Sequence, residues 1–353
     1  MRCLKLTVSS VGDHVNGFMG LRRLAARRWT QPLDAAGRSA RRHEERRLLR
    51  QRLARSVGTE ADIGRHRDGV RIIQDQAHRE VHDEVMAIDL AAAAAFMTTH
   101  ARLLDRRRFA VRFEGADPSG VLAALDAYRN PDGGYGALEP DLRAPESQPV
   151  GAMHAFEVFE DIAPATTQHA VELCDWLDST SLPDGGLPFA LPIADATGTA
   201  PFWAQADPKA SSLHITTAVA AIAHRVARHD PAVAGHAWLA RVTGYCLDTI
   251  TARDKPESTL ELLYALGFLD AIVDEEPAAA PLIDRLAAVI PASGALHVEG
   301  GLEDEVIRPL EFAPLPGRPV RRHLAPEVVA ADLDRLAGEQ REDGGWDVDF
   351  AAY

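Results

Sequence analysis

The sequence predicts an all-α fold, an α/α toroid built from helical hairpins, and three observations carry that expectation. The turn Asp-Gly-Gly occurs at Asp132-Gly133-Gly134, Asp184-Gly185-Gly186 and Asp343-Gly344-Gly345. The first two copies lie 52 residues apart and the third follows after 159, three steps of 53. Fixed spacing of this size marks a repeat architecture. From residue 86 onward, helical patterns alternate with Gly/Pro-rich loops, and no series of alternating strands appears. The helices also fall into two kinds. Those before the turns are amphipathic, as in Val121-Leu122-Ala123-Ala124-Leu125. Those after the loops, such as Ile215 to Ala223 and Leu260 to Leu269, are apolar around most of their circumference. A helix apolar all round is buried on several sides. An outer ring around an inner ring accounts for both kinds.

Taken in order, the expected helices are 87–104, 119–129, 149–162, 166–179, 212–228, 232–251, 258–274, 279–290 and 326–339. The first is the alanine-rich run after Met86. Pro149 suits the first turn of its helix, where a missing N–H is not needed. Pro231 and Pro281 also lie near helix starts. Ser258-Thr-Leu-Glu261 reads as a capping box. Pro145-Glu146-Ser147 and Pro256-Glu257-Ser258 precede two inner helices 111 residues apart, about two periods, with Ala210-Ser211-Ser212 between them. Small residues such as Gly151, Ala155, Ala218 and Gly267 allow close packing. Residues 294–325 read as a long loop with room for small hairpins elsewhere, as at Phe189-Ala-Leu. No inner helix follows the last turn, so the ring looks incomplete and its last hairpin truncated.

Two segments are expected: a basic extension over 1–85, disordered or loosely helical, and a repeat domain over 86–353. Residues 1–85 hold 18 Lys and Arg against 11 Asp and Glu, whereas the remainder holds 20 against 41. An acidic body repels phosphates, which argues against nucleic-acid binding by the toroid. The basic run at 41–56 suits a solvated helix face. The helical pattern that begins at Met86 makes that residue a candidate start; native peptides from 1–85 would refute this. The three cysteines, Cys3, Cys174 and Cys246, form no paired motif. With no signal-peptide run and no apolar stretch near the roughly 20 residues of a spanning helix, a cytoplasmic setting without a transmembrane segment is expected. The oligomeric state is left open.

Gln340-Arg-Glu-Asp-Gly344-Gly-Trp346 resembles the QW repeat of the squalene cyclase, terpenoid cyclase and prenyltransferase superfamily. Asn130-Pro-Asp-Gly133-Gly134-Tyr135 keeps the aromatic, and Ser181-Leu-Pro-Asp-Gly185-Gly186-Leu187 keeps the glycine turn. With the helical alternation, the resemblance spans 86–353. It implies that Gln340 and Trp346 tie one hairpin to the next and that a central cavity takes an apolar or isoprenoid molecule. Neither Asp-x-Asp-Asp nor Asp-Asp-x-x-Asp is present; the nearest string is Asp347-Val-Asp349-Phe350, which makes Asp347 and Asp349 candidate proton donors. Aromatic residues make up only 6%, few for a carbocation cavity. No motif supports magnesium or zinc, and no cofactor is predicted.

His154 and His214 fall near the starts of inner helices, where they are candidate acid/base groups. If the inner helices share a rim, Glu139, Asp141, Lys209, Lys255, Glu257 and Glu261 converge there as binding groups. The expected function is an isoprenoid-binding or isoprenoid-transforming toroid. The alternatives are a non-catalytic scaffold and a sugar-active toroid, a lyase or hydrolase. The sequence does not decide whether the protein is an enzyme.

Overall fold

The computed structural model describes residues 88–347. The 1–85 extension, the Met86 start and Asp349 therefore lie outside the described residues. These described residues are all-α apart from one small strand pair. The helices are α1 (Leu90–His100), α2 (Leu103–Phe109), α3 (Ser119–Leu125), α4 (Pro149–Asp161), α5 (Gln168–Thr180), α6 (Pro201–Ala204), α7 (Leu213–Ala227), α8 (Pro231–Ala234), α9 (Ala237–Ala252), α10 (Thr259–Ile272), α11 (Ala279–Ala287), α12 (Pro309–Phe312) and α13 (Pro326–Gly338). Strands β1 (Leu296–His297) and β2 (Val306–Ile307) pair antiparallel, Leu296 opposite Ile307.

The packing has two layers. α7 lies between α4 and α10, and these three form an inner row. Nearly every side chain of α4 from Pro149 to Phe159 is buried, as is most of α7 and α10. The outer helices bury one face each. α5 buries Ala170, Leu173, Cys174, Trp176 and Leu177; α11 buries Ala279, Ile283, Leu286 and Ala287. α5 packs on α4, α9 on α7 and α11 on α10. Each fully buried Leu, Ile or Phe contributes roughly 1.5–3 kcal/mol, so the inner row is the main source of stability. No described helix is long and apolar enough to cross a membrane.

The three Asp-Gly-Gly turns are one structure repeated. Their first glycines, Gly133, Gly185 and Gly344, all have φ +91, a left-handed conformation that side chains resist. In each, the aspartate accepts from the amide of the second glycine, at 3.0 Å for Asp132, 3.1 Å for Asp184 and 3.0 Å for Asp343. The second glycine lies flat against an aromatic ring. A methyl group there would come within 2.6 Å of Trp176 on α5, Tyr245 on α9 and Phe96 on α1. The first two turns thus dock on the outer helix of the following hairpin, and the third docks on α1, the first described helix. Gln340 seals that junction: its Nε2 donates to the Asp89 carbonyl at 3.0 Å and its Oε1 accepts the Asp89 amide at 2.8 Å. Asp89 in turn caps α1 through the amides of Ala91 and Ala92. Trp346 Nε1 donates to the Leu336 carbonyl of α13 at 2.7 Å. The last hairpin, expected to end open, is covered by α1.

Several expectations are corrected. The span 87–104 holds α1 and then a break, because Ala101 and Arg102 are extended before α2 starts. The 232–251 pattern is a single turn, α8, followed by α9. The loop at 294–325 contains β1, β2 and α12. Glu261 does reach back, but to the Glu257 amide at 3.0 Å rather than to that of Ser258. The Pro-Glu-Ser pair is not a repeat of one role. Ser258 caps α10 through the Glu261 amide. Ser147 instead donates to Asp132 at 2.7 Å, as Ser211 does to Asp184 at 2.6 Å. The equivalent of Ser147 is therefore Ser211, and its work is to fasten the glycine turn.

Candidate functional site

The chain from Gly136 to Gln148, between the first turn and α4, places two carboxyls at the start of the inner row. It is tightly held. Ala137 has φ +53, the one left-handed non-glycine among the described residues, and its amide donates to the Ala144 carbonyl at 3.0 Å. Such strain, of order 1–3 kcal/mol, persists where the surroundings fix the chain, often at functional sites. Two residues later Glu139 turns inward, and after Pro140 so does Asp141; each is 2% exposed.

A continuous chain of polar contacts runs through the site. Arg108 on α2 contacts Glu157 at 3.1 Å and Asp161 at 2.8 Å, both on α4. Arg112 also bonds Asp161. His154 lies one turn before Glu157, its Nδ1 3.4 Å from that carboxylate and its Nε2 3.0 Å from Glu139. Glu139 lies near enough to Asp141 for its charge to act on that carboxyl. Asp141 Oδ1 accepts the indole N–H of Trp203 at 2.7 Å. From Trp203 the path becomes aromatic: Phe189 stacks on it at 4.4 Å, His214 meets Phe189 edge-on at 5.3 Å, and Tyr264 stacks on His214 at 5.3 Å.

The charges explain the protonation states. Arg102 pairs with Asp105 at 2.7 Å, Arg108 and Arg112 with Glu157 and Asp161, and His154 with Glu139. Among the described residues four cations thus face four anions, and Asp141 is a further acid beside Glu139. Burial first, and the neighbouring charge of Glu139 second, push its carboxyl up to about 7, against the smaller opposing effect of the Trp203 donor. Burial alone would discharge His154, but its bonds to Glu139 and Glu157 outweigh that and hold the imidazole charged up to about 9. His154 thus offers Glu139 a charged partner at 3.0 Å. His214 has no such partner. Burial drives it well below the ordinary histidine value and keeps it neutral; its Nε2 is buried without a hydrogen bond. Asp141 and His214 are pushed in opposite directions on either side of an aromatic wall, burial favouring the uncharged form of each.

The predicted site residues separate clearly. Glu139, Asp141 and His154 come together, and His214 faces them across Phe189 and Trp203. Glu261 belongs to another cluster, buried beside Arg253 at 2.8 Å, with exposed Glu257 on the same guanidinium at 3.1 Å. Lys209 and Lys255 are exposed and do not join the buried acids. The expected single rim is thus two places. Asp347 is exposed and pairs with Arg341 at 2.6 Å, a surface contact at the last turn. Gly133, Gly134, Gly185, Gly186, Gln340, Gly344 and Trp346 are all in the turns described above. Sequence reasoning missed Arg102, Asp105, Arg108, Glu157, Asp161 and Trp203. A signal existed for some: Asp105 and Arg108 share a helix face with Leu104, and Glu157 and Asp161 sit one turn apart in an otherwise apolar helix.

No family model matches this chain, and no curated protein matches it. A crystal structure of a protein from Actinoplanes is similar over 69% of this chain and 73% of that chain, at 17% identity and a TM-score of 0.43.

Proposed function

We propose that this protein is a terpenoid cyclase-like or prenyltransferase-like α/α toroid that binds an isoprenoid and protonates it through Asp141. The carrying observation is the further carboxyl: a buried acid beside a charge-paired cluster, hydrogen-bonded to an indole at the edge of an aromatic wall. Such an acid can add its proton to an alkene or epoxide. The faces of Phe189, Trp203 and Tyr264 stabilise positive charge on the hydrocarbon, by up to about 2 kcal/mol per desolvated face. Neutral His214 accepts a proton at the far end of the wall. Docking of the third glycine turn on α1 supports the toroidal arrangement, because each of the three turns then meets an outer helix in the same way.

The test is incubation of the full chain with squalene-like lipids, isoprenoid diphosphates and oligosaccharides, read by native mass spectrometry and product analysis in D2O. An isoprenoid should be retained, and its product should gain one deuterium. Asp141→Asn should slow turnover by about 10²–10⁴-fold, the usual range for a general acid. Failure to retain any isoprenoid would count decisively against this reading. The scaffold reading draws on a different observation, the close packing beside Glu139, where Gly136, Leu138, Leu142, Gln148 and Gly151 leave no enclosed space for a ligand. In that case no ligand binds, and Asp141→Asn alters stability alone.

A further inference from the structure

We propose that loop 188–211 is a hinged lid over the Glu139–Asp141 pair, and that a hydrocarbon ligand reaches the acid only when this lid swings open. The proposal rests on the isoprenoid reading. The loop has the form of an Ω-loop, a compact excursion whose ends meet. Pro188 bridges Ser211, and the Ser212 amide donates to the Leu187 carbonyl at 2.8 Å. That neck leaves the body of the loop able to move as a unit.

Beyond the neck, the loop's backbone and polar bonds to the rest of the chain fall on one short stretch, 141–148. Trp203 Nε1 donates to the Asp141 carboxyl and the Ala200 amide to the Asp141 carbonyl, each at 2.7 Å. Thr199 bridges Leu142. The Leu191 amide donates to Gln148 Oε1 at 2.8 Å, and Gln148 Nε2 returns a bond to the Leu191 carbonyl at 3.4 Å. Residues 194–198 at the tip are exposed. The polar latch to the described residues is therefore a single seam, its most buried bond made to the acid itself, while Ala190, Ala200 and Trp203 also pack in the core.

Two consequences tie this seam to a ligand. The lid carries Phe189, Phe202 and Trp203, so closing it lays the Trp203 indole on Asp141, backed by the two phenyl rings packed on that indole, and removes water from the carboxyl. The acid has no open approach in this structure: Asp141 is 2% and Trp203 1% exposed. A hydrocarbon of isoprenoid size does not fit until the lid moves, and opening frees the Asp141 oxygen that the indole occupies.

The test has two arms on the full chain. In the first, hydrogen exchange is followed by mass spectrometry. Trp203→Phe keeps the ring but removes the latch donor, and should speed exchange of 190–204 by about 5–10-fold, the effect of one hydrogen bond of about 1 kcal/mol, while α4 and α10 are unchanged. No change at 190–204, or equal acceleration everywhere, overturns the lid. In the second arm the lid is stapled. A Cβ at Gly198 would lie 3.8 Å from the Arg143 Cβ, a separation that a disulfide spans. Arg143→Cys with Gly198→Cys, oxidised, should cut the association rate of a fluorescent polyene at least 10-fold, and reduction should restore it. An unchanged rate overturns gating by this loop. If no polyene binds even after reduction, the isoprenoid reading fails while the exchange arm still decides whether the loop is a lid.

Discussion

Gly344→Ala is the sharpest test of how the chain holds its ends together, because two internal controls share its backbone. Gly133, Gly185 and Gly344 all have φ +91, so an alanine at any of them incurs the same left-handed strain, about 1–2 kcal/mol. What differs is what the new methyl meets. At Gly185 the nearest atom is the Tyr245 Cβ at 3.3 Å, and at Gly133 it is the Glu172 carbonyl at 3.2 Å. Both are tight but can yield by a few tenths of an ångström. At Gly344 the methyl falls far inside contact distance of the Ala92 carbonyl of α1. That carbonyl belongs to a helix and cannot turn aside, so the last turn must lift off α1. Lifting breaks the two Gln340–Asp89 bonds, each worth about 0.5–1.5 kcal/mol, and uncovers Phe96, which is 3% exposed in the closed form; truncating contacts to such a ring costs about 1 kcal/mol or more.

The expected order is therefore Gly185→Ala and Gly133→Ala at about 1–2 kcal/mol, from strain alone, and Gly344→Ala at about 3–5 kcal/mol, from strain, lost hydrogen bonds and lost packing together. Urea unfolding followed by far-ultraviolet circular dichroism gives the three values, and hydrogen exchange locates the damage. In Gly344→Ala, α1 and 340–346 should lose protection first. Equal destabilisation in all three variants would refute the reasoning, since it would mean that the clash with α1 relaxes freely. Protection retained in α1 would refute it too.

The remaining predictions concern the buried cluster and its fastenings. Arg108→Ala leaves Glu157 and Asp161 without their most buried cation and should destabilise by about 3–5 kcal/mol, read from the urea midpoint; a loss under 1 kcal/mol would show that water enters. His154, held charged up to about 9 in the fold against 6.5 when free, stabilises fully below pH 6.5 and loses that contribution as pH rises to 9, at most about 3 kcal/mol. Asp141 adds a loss between 3.8 and about 7, which nearly cancels the gain between 4 and 6.5 from His224, pushed down to about 4 by burial; His214, pushed well down by burial, adds a further gain that ends at 6.5, so stability should peak near pH 6.5 and fall on the alkaline side, and His154→Gln should flatten that alkaline arm. Trp176→Phe deletes the indole bond to Asp132, 3.1 Å long, and should cost about 1 kcal/mol by the same urea assay, with the turn's amide exchange raised locally.

The inner helices were legible because burial on all sides leaves a simple mark. α4, α7 and α10 start and end within two residues of where apolar runs and Pro149, Ser212 or Ser258 placed them. The turns were legible because a φ of +91 all but demands glycine. What connects them was not. Whether Ser147 resembled Ser258 or Ser211 depends on which residue faces the glycine turn, and the tripeptide Pro-Glu-Ser pointed to the wrong one. Glu139, Asp141 and His154 could be named from their nearness to an inner helix, but Lys209, Lys255 and Glu257 looked equal to them. The difference is burial, set by a strained chain reversal at Ala137 and by a loop that returns some sixty residues later to put Trp203 on Asp141. Arg108 was hidden for the opposite reason. Its run, Arg106-Arg107-Arg108, reads as solvated charge, and only one of the three arginines is buried.

The further acid beside Glu139 is what separates a functional reading of this cluster from a structural one. Buried ion pairs can form simply to fix helix against helix, and Arg108 with Glu157 and Asp161 would serve that purpose between α2 and α4. A cluster built only for that purpose needs no acid beyond those its cations pair with. Adding a ninth group next to Glu139 costs stability at every pH where it ionises, about 1.4 kcal/mol for each unit its carboxyl is raised, and Asn or Leu at the same place would avoid the cost. The placement is specific besides: the carboxyl has Glu139 on one side and, on the other, an indole from a loop latched nowhere else so deeply. A buried acid kept at a cost, bonded to an indole N–H and covered by a loop, is the arrangement on which the proposed proton transfer to an apolar ligand rests. Comparing Asp141→Asn and Asp141→Leu tests this directly. A structural role predicts that Asn, which keeps the bond to Trp203, preserves lid protection and that nothing else changes; a chemical role predicts that Asn preserves the lid and abolishes the deuterium incorporated into product.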